Sequence, residues 1–184
     1  MKRLETERLI LDKWTKKDAR ALFAYASTPN VGPLAGWKPH ETIGESKMRI
    51  KKIFIPNGIW KITLKDGVAI GSIGFEPDSR RPEIKARELG YSLAEDYWGQ
   101  GLMTEAGRAV IDYGFSEMDL QVISIETAPD NERSQRVIEK LGFKYEGCLR
   151  DSYLTIDNKV RDTFVYSILR SEWEIGKQLR KDAR

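Results

Sequence analysis

Apolar and polar positions alternate over residues 8–14 (Arg-Leu-Ile-Leu-Asp-Lys-Trp), and that period of two predicts a first strand. Thr15 then offers an N-cap, with Asp18 three residues on as in a capping box. Ala19, Leu22, Phe23 and Ala26 recur at helical spacing behind it. Pro29 ends this helix, and residues 30–40 hold Gly and Pro without any period and read as a loop. Thr42 and Glu45 repeat the capping pair before a second helix, which carries Met48, Ile53 and Phe54 on its inner side. From Ile59 the period is two again. Residues 59–64 and 68–75 read as strands on either side of Lys65-Asp66-Gly67, because Asp-Gly suits a hairpin turn with positive φ. A polar loop over 76–86 leads to a strand at 88–93, then Tyr97-Trp98-Gly99-Gln100-Gly101 and a helix at 103–116. A strand at 122–127, a helix at 132–141 stopped by Gly142, and at least two strands within 143–170 complete the series, with Asp157-Asn158 at the last turn. The order β-α-α-β-β-β-α-β-α-β-β, without internal repeat or linker, predicts one α/β domain over residues 1–184 built on a mixed sheet.

Composition agrees with a single core. A length of 184 residues suits one domain, for which roughly 100–200 is usual. Five Trp, six Phe and seven Tyr supply large apolar surfaces, which excludes a disordered chain. No apolar run approaches the ~20 residues of a membrane-spanning helix, and the N-terminus lacks the apolar stretch of a signal peptide. The lone Cys148 permits no internal disulfide and no cysteine-based metal cluster, and it reads as packing. The 31 Lys and Arg against 28 Asp and Glu leave +3, with the signs interspersed, whereas nucleic-acid binders more often cluster a larger excess. The one basic patch, residues 177–184, reads as the frayed end of a final helix. The expectation is a cytoplasmic protein with no membrane and no direct nucleic-acid partner.

Gly99-Gln100-Gly101-Leu102-Met103-Thr104 joins a strand to a helix. A helix start exposes unpaired N–H groups at the positive end of its dipole, and glycines let a phosphate approach them. Gly107 and Gly114 inside the helix suggest that it is pressed tightly onto the sheet. Gly99-x-Gly101-x-x-Thr104 also resembles the dinucleotide fingerprint, with Glu126 near the position of a ribose-binding acid. Against that stand the five residues Ala94 to Trp98 between strand and turn, Thr104 in place of the last glycine, and the preceding antiparallel hairpin.

The turn and the later helix together resemble the GNAT superfamily of acyl-CoA-dependent N-acetyltransferases. Trp98-Gly99-Gln100-Gly101-Leu102-Met103 lies over the superfamily's pyrophosphate loop, Gln/Arg-x-x-Gly-x-Gly/Ala, departing from it at Trp98 and Met103. Tyr-Trp-Gly-x-Gly followed by Thr104-Glu105-Ala106 is similar to the Rim-type branch, whose members acetylate N-terminal amines of ribosomal proteins. So are the opening Leu4-Glu5-Thr6-Glu7-Arg8-Leu9-Ile10-Leu11 and the later Asn131-Glu132-Arg133-Ser134 with Leu141-Gly142-Phe143. The resemblance implies an α/β (α+β) fold with a mixed, mostly antiparallel sheet of about seven strands and four flanking helices.

It also implies acetyl-CoA as cosubstrate and no metal. The pyrophosphate would lie on the N–H groups from Gln100 to Thr104, namely Gln100, Gly101, Leu102, Met103 and Thr104, with Gly99 opening the turn. The pantetheine arm would lie near Leu93, where two strands splay apart, with Asn131 helping to hold it. Direct attack by an amine needs a neutral amine, a stabilised oxyanion and a proton for the thiolate. Many members place a Tyr acid four residues after Ser134; here that residue is Ile138, so the resemblance to the Rim-type branch makes Ser134 the candidate thiolate partner.

The residues themselves leave alternatives open. Ser134, Val137, Ile138 and Leu141 share one helical face, so the hydroxyl points inward, where it would equally suit bonding back to a carbonyl. Asn131 is an ordinary N-cap. Glu88, Gly90 and Ser92 alternate with Leu89, Tyr91 and Leu93, which puts one carboxylate beside two small residues and makes Glu88 the candidate base. Pairing of Glu88 with Arg87 or Arg108 is the plainer reading, and Glu126 on the adjacent strand, acting through water, is the other candidate. The resemblance implies that the loop between the first two helices borders the acceptor groove, with Trp37 lining it, while His40, the only histidine, reads as an exposed or capping side chain.

An α-amine of pKa near 8 is about a tenth neutral at pH 7, but a lysine amine near 10.4 is well under a thousandth neutral, which favours a protein or peptide N-terminus as acceptor. A small-molecule amine or antibiotic, or a non-catalytic CoA-binding module, are the alternatives. The protein is expected to act as a monomer or homodimer.

Overall fold

The computed structural model describes residues 1–182. Eight strands form one sheet: β1 (Leu4–Glu5), β2 (Leu9–Lys13), β3 (Trp60–Leu64), β4 (Ala69–Pro77), β5 (Ala86–Leu93), β6 (Val122–Thr127), β7 (Lys144–Leu154) and β8 (Val160–Leu169). Their order is β1-β2-β3-β4-β5-β6-β8-β7, antiparallel throughout except for the parallel pair β5 and β6. The helices are α1 (Ala19–Ala26), α2 (Ile43–Arg49), α3 (Leu102–Ser116), α4 (Glu132–Lys140) and α5 (Arg170–Asp182). The expected seven strands become eight through the two-residue β1, and the four flanking helices become five with α5, the final helix, which runs through the basic stretch as far as Asp182. Of the terminus expected to fray, residues 183 and 184 lie outside the described residues.

Local chemistry sets the boundaries. Asp18 Oδ2 accepts from both the backbone N–H and the hydroxyl of Thr15, at 2.7 Å each, in the turn that leads into α1. Thr42 caps α2 by accepting from the Glu45 N–H. Gly67, at φ +97°, makes the turn between β3 and β4. The buried stripe of the second helical segment is Ser46, Ile50 and Phe54 rather than Met48, which is exposed. Ser46, Ile50 and Phe54 stand four residues apart and so share one helical face, from which Met48 is turned away; the backbone passes into a π-turn at Ile50–Phe54.

Two apolar layers cover the sheet. Leu89 and Leu93 pack with Leu102, Val110, Ile138 and Trp173, so α3, α4 and α5 lie on one face. Trp14, Leu22, Ile50, Phe54 and Ile59 form the smaller cluster beneath α1 and α2 on the other. Gly114 meets Phe75 and Ile123 of the sheet, as a closely pressed helix requires, whereas Gly107 faces Leu141 and makes room for α4. Cys148 is exposed rather than packed, because β7 is the edge strand and neither of its faces is buried. No helix among the described residues is long and apolar enough to cross a membrane.

Candidate active site

The parallel pair is where the sheet opens. β5 and β6 pair only at Ala86 with Val122, Arg87 with Ile123 and Glu88 with Ser124, and beyond Glu88 the two strands part. The cavity at this opening measures about 730 Å³ and runs from the turn before α3 to the loop around Trp37. Gly99, Gly101, Leu102, Met103, Thr104, Asn131, Ser134, Leu93, Glu88, Glu126 and Trp37 all line it. These predicted residues are thus brought together. Gln100 is the exception: its side chain turns back to donate to the Asp96 carbonyl, leaving only its backbone at the turn.

The turn itself is shaped for an anion. Gly99 and Gly101 hold φ of +75° and +76°, a conformation that side chains disfavour, and a Cβ at Gly99 would meet nothing within 4 Å. No side chain caps the start of α3, so its first N–H groups stay available to a ligand. These features fit a pyrophosphate. Trp98, where the family pattern has Gln or Arg, braces the turn instead: its indole donates to the Leu93 carbonyl at 2.8 Å and the Arg133 guanidinium covers its ring at 4.9 Å. One lone pair of the Leu93 carbonyl is therefore taken. A second hollow of about 550 Å³ opens beside the same turn and is lined by Arg8, Thr104, Arg108 and Lys140 among others.

On α4, Asn131 caps the helix by accepting from the Ser134 N–H at 3.1 Å. Ser134 Oγ does not bond back to its own helix. It lies 2.9 Å from Tyr91 Oη. Alternation alone assigns Tyr91 to the core, and its ring does pack there, but its polar tip reaches the cavity. Burial pushes the Tyr91 phenol up to about 12, with the Ser134 hydrogen bond working the other way.

Glu88 lies on the opposite face of β5. Neither Arg87 nor Arg108 pairs with it. Its neighbour is Arg80, from the loop between β4 and β5, whose Nη2 stands 3.5 Å from Glu88 Oε2 while Nη1 pairs with Glu126. Burial and the nearby Glu126 charge push the Glu88 carboxyl up to about 7, outweighing the pull of Arg80. The loop that delivers Arg80 is anchored at Asp78, which accepts from Ser124 at 2.8 Å and pairs with Arg81 at 3.0 Å. Burial raises the Asp78 carboxyl, but these partners prevail and hold it below the usual carboxylate range. Sequence reasoning missed Arg80 and Tyr91; the one available signal was the Asp78-Ser79-Arg80-Arg81 run in an otherwise aperiodic loop.

His40 stands outside the cavity lining, with Nδ1 2.8 Å from Ser46 Oγ, and burial and Arg49 hold its pKa below the usual histidine value. Among the described residues no group of His, Cys, Asp or Glu is arranged to hold a metal ion.

Known proteins resemble this chain in sequence and fold. The acetyltransferase (GNAT) domain family matches residues 8–144. The uncharacterized N-acetyltransferase YoaA of Bacillus subtilis is 35% identical over 173 residues, covering 91% of this chain and 96% of its own. The ribosomal protein uS5-alanine N-acetyltransferase of Escherichia coli is 30% identical over 95% of this chain and 94% of its own. Among solved structures, a GNAT-family acetyltransferase from Bacillus anthracis superposes with a TM-score of 0.81 at 26% identity, covering 92% of this chain and 99% of that one. A match that takes in the splayed strands, the glycine turn and the α4 helix alike leaves one conclusion: the chain belongs to the GNAT family and is an acetyl-CoA-dependent N-acetyltransferase.

Proposed function

We propose that the enzyme acetylates a protein or peptide N-terminal α-amine, as expected of a cytoplasmic enzyme related to ribosomal-protein acetyltransferases. The observation that carries this reading is the Glu88 carboxyl, lifted to about 7 at the edge of the open cavity. A base of that strength is matched to an α-amine of pKa near 8 and is about three units short of a lysine amine. The uS5-alanine specificity in the name of the Escherichia coli relative points the same way.

Acetyl-CoA supplies the activated acetyl group, which the acceptor amine takes directly. The N–H groups at the start of α3 hold its pyrophosphate, and Asn131 and the parted edge of β5 guide the pantetheine arm. Glu88 accepts the proton that the amine must lose, and Arg80 keeps the Glu126 charge from closing on it. Ser134 Oγ serves the thiolate. With Tyr91 Oη donating to Ser134 Oγ, the serine's own proton is free to point into the cavity; the Tyr91 phenol, at about 12, keeps the proton this requires near neutrality. Base and thiolate partner thus line one cavity from opposite faces of β5, where β5 and β6 part.

Turnover of acetyl-CoA against N-terminal peptides, lysine peptides, polyamines and small-molecule amines tests this reading. N-terminal peptides should give the highest kcat/KM. Faster turnover of lysine peptides, polyamines or an antibiotic amine would overturn it.

A further inference from the structure

The acceptor end of the cavity holds two guanidinium groups that acetyl transfer, as described, does not use. Arg49 is the last residue of α2 and Arg161 lies on β8; both line the cavity, and in both the buried Nε has no hydrogen-bond partner. The Trp37 ring lies beside Arg49, with its own Nε1 buried and unpartnered against Gly32. The three are contiguous. The Arg49 guanidinium stands 5.3 Å from the Trp37 ring centroid, and Gly36, next to Trp37, is so close to Tyr153 that a Cβ there would come within 2.8 Å of the phenol oxygen. Arg161 in turn lies 4.5 Å over the Tyr153 ring.

The arginines around the reacting end are neutralised, Arg80 by Glu126 and Glu88 and Arg81 by Asp78 and Glu146; at the coenzyme end Arg136 pairs with Glu132 and Arg133 covers the Trp98 ring. Arg49 and Arg161 join no ion pair among the described residues. The field of Glu76 on β4 reaches Arg49 without a contact between them. A half-buried cation with an unpaired N–H is costly to maintain, and the guanidinium fork matches a carboxylate or a phosphate. The cavity lining thus sets the carboxylates Glu76, Glu88 and Glu126 against two cations, Arg49 and Arg161, that no carboxylate among the described residues contacts.

We infer that Arg49 and Arg161, held against the Trp37 and Tyr153 rings, form an anion-binding subsite, so that the acceptor carries a carboxylate or phosphate group in addition to the amine it presents to Glu88. This rests on the reading that the amine reaches Glu88 and adds what the rest of the acceptor must bear. In a peptide, the group is an acidic or phosphorylated side chain within the first few residues.

Matched acceptors test it. Peptides beginning with Ala are compared with Glu, Gln or phosphoserine at the second, third or fourth position, alongside small amines with and without a carboxylate. The anionic member of at least one pair should have a kcat/KM about tenfold higher or more, through KM, as a charge-assisted hydrogen bond provides. Glu against phosphoserine identifies which anion is preferred. The advantage should fall to about twofold or less in Arg49→Gln/Arg161→Gln and persist in part in Arg49→Lys, with KM for acetyl-CoA unchanged. Should the double variant fail to fold, the single Arg161→Gln variant carries the comparison. Equal turnover of neutral and anionic partners in every pair, or an advantage untouched by the variants, would overturn the inference. If peptides are refused while small amines are turned over, the N-terminal reading falls, and the small-amine pair alone decides the subsite.

Discussion

Glu105 Oε2 accepts from Arg8 Nε at 2.7 Å, and this contact fastens the start of the chain to the glycine turn. The same carboxylate also accepts from the Arg8 backbone N–H and the Thr6 hydroxyl, at 2.8 and 2.6 Å, while Arg8 Nη1 donates to the Gln100 carbonyl at 3.1 Å. Burial raises the Glu105 carboxyl, but these donors overcome it and hold it below the usual range. The Thr6-Glu7-Arg8 and Thr104-Glu105-Ala106 segments, far apart in sequence, are therefore the two halves of one knot.

That knot predicts a binding defect. Glu105→Gln should raise the KM for acetyl-CoA roughly fivefold to tenfold, because a hydrogen-bonded charge contributes ~1.5–3 kcal/mol and only part of it bears on the turn. Arg8→Lys should behave similarly, since an ammonium cannot bond Glu105 and the Gln100 carbonyl together. Steady-state kinetics with acetyl-CoA and acceptor varied separately checks this; a defect confined to acceptor KM would contradict it.

The serine and tyrosine pair predicts a loss of turnover without a loss of binding. Ser134→Ala should lower kcat about tenfold or more while leaving CoA affinity, measured by calorimetry, within a factor of two or so. Tyr91→Phe removes one oxygen and should reduce kcat by a smaller factor in the same direction. If Ser134→Ala and Glu88→Ala both leave acetylation unchanged, the roles assigned to these residues are wrong.

Glu88 predicts a pH profile with opposite effects on activity and stability. As a base it works deprotonated, so kcat/KM should climb as pH rises through about 7, and Glu88→Gln should abolish that limb. Stability moves the other way. The folded state holds the Glu88 proton more tightly than the unfolded chain, so stability falls between the ordinary 4.5 and about 7 and stays lower above. The lift corresponds to at most ~3 kcal/mol. Screening of a side chain left 29% exposed reduces this to ~1–2 kcal/mol. Glu88→Gln should therefore be more stable than the parent at pH 8 and nearly equal to it at pH 5, by denaturant melts at both pH values.

Gly114 predicts that a better helix former destabilises the protein. In an open helix Gly→Ala adds ~1 kcal/mol. Here the new Cβ would stand 2.9 Å from Phe75 Cζ, 3.1 Å from Ile123 Cδ1 and 3.2 Å from Leu120 Cδ1, three neighbours that leave it no direction in which to yield. Overpacking of ~1–3 kcal/mol outweighs the propensity gain, so Gly114→Ala should lower the melting temperature by a few degrees. A raised melting temperature would show that the helix has slack against the sheet.

Much of this molecule is legible in its sequence because its signals are local. The strand at 122–127 and the start of the helix at 132 coincide with β6 and α4, each being marked by a change of period or a cap. The glycine turn is equally local, since left-handed backbone and an uncapped helix start announce themselves in six residues. Arg80 and Tyr91 were not legible. A loop side chain obeys no period, and alternation sorts residues by face without saying how far a long side chain reaches. Met48 and Cys148 were misread for a related reason: which helical face meets the Trp14 cluster, and that β7 ends the sheet with neither face buried, are set by distant parts of the chain.

The amino-acid order by itself determined the elements, their succession, the phosphate-ready turn and the family resemblance, because each depends on contacts within a few residues. Tertiary structure alone decided that β5 and β6 part beyond Glu88, that Arg80 stands between two glutamates, that Tyr91 meets Ser134, and that Arg49 and Arg161 share a cavity wall. Those facts depend on where strands stop pairing and where loops come to rest. They are set by the packing of both layers against one twisted sheet, which no short segment encodes.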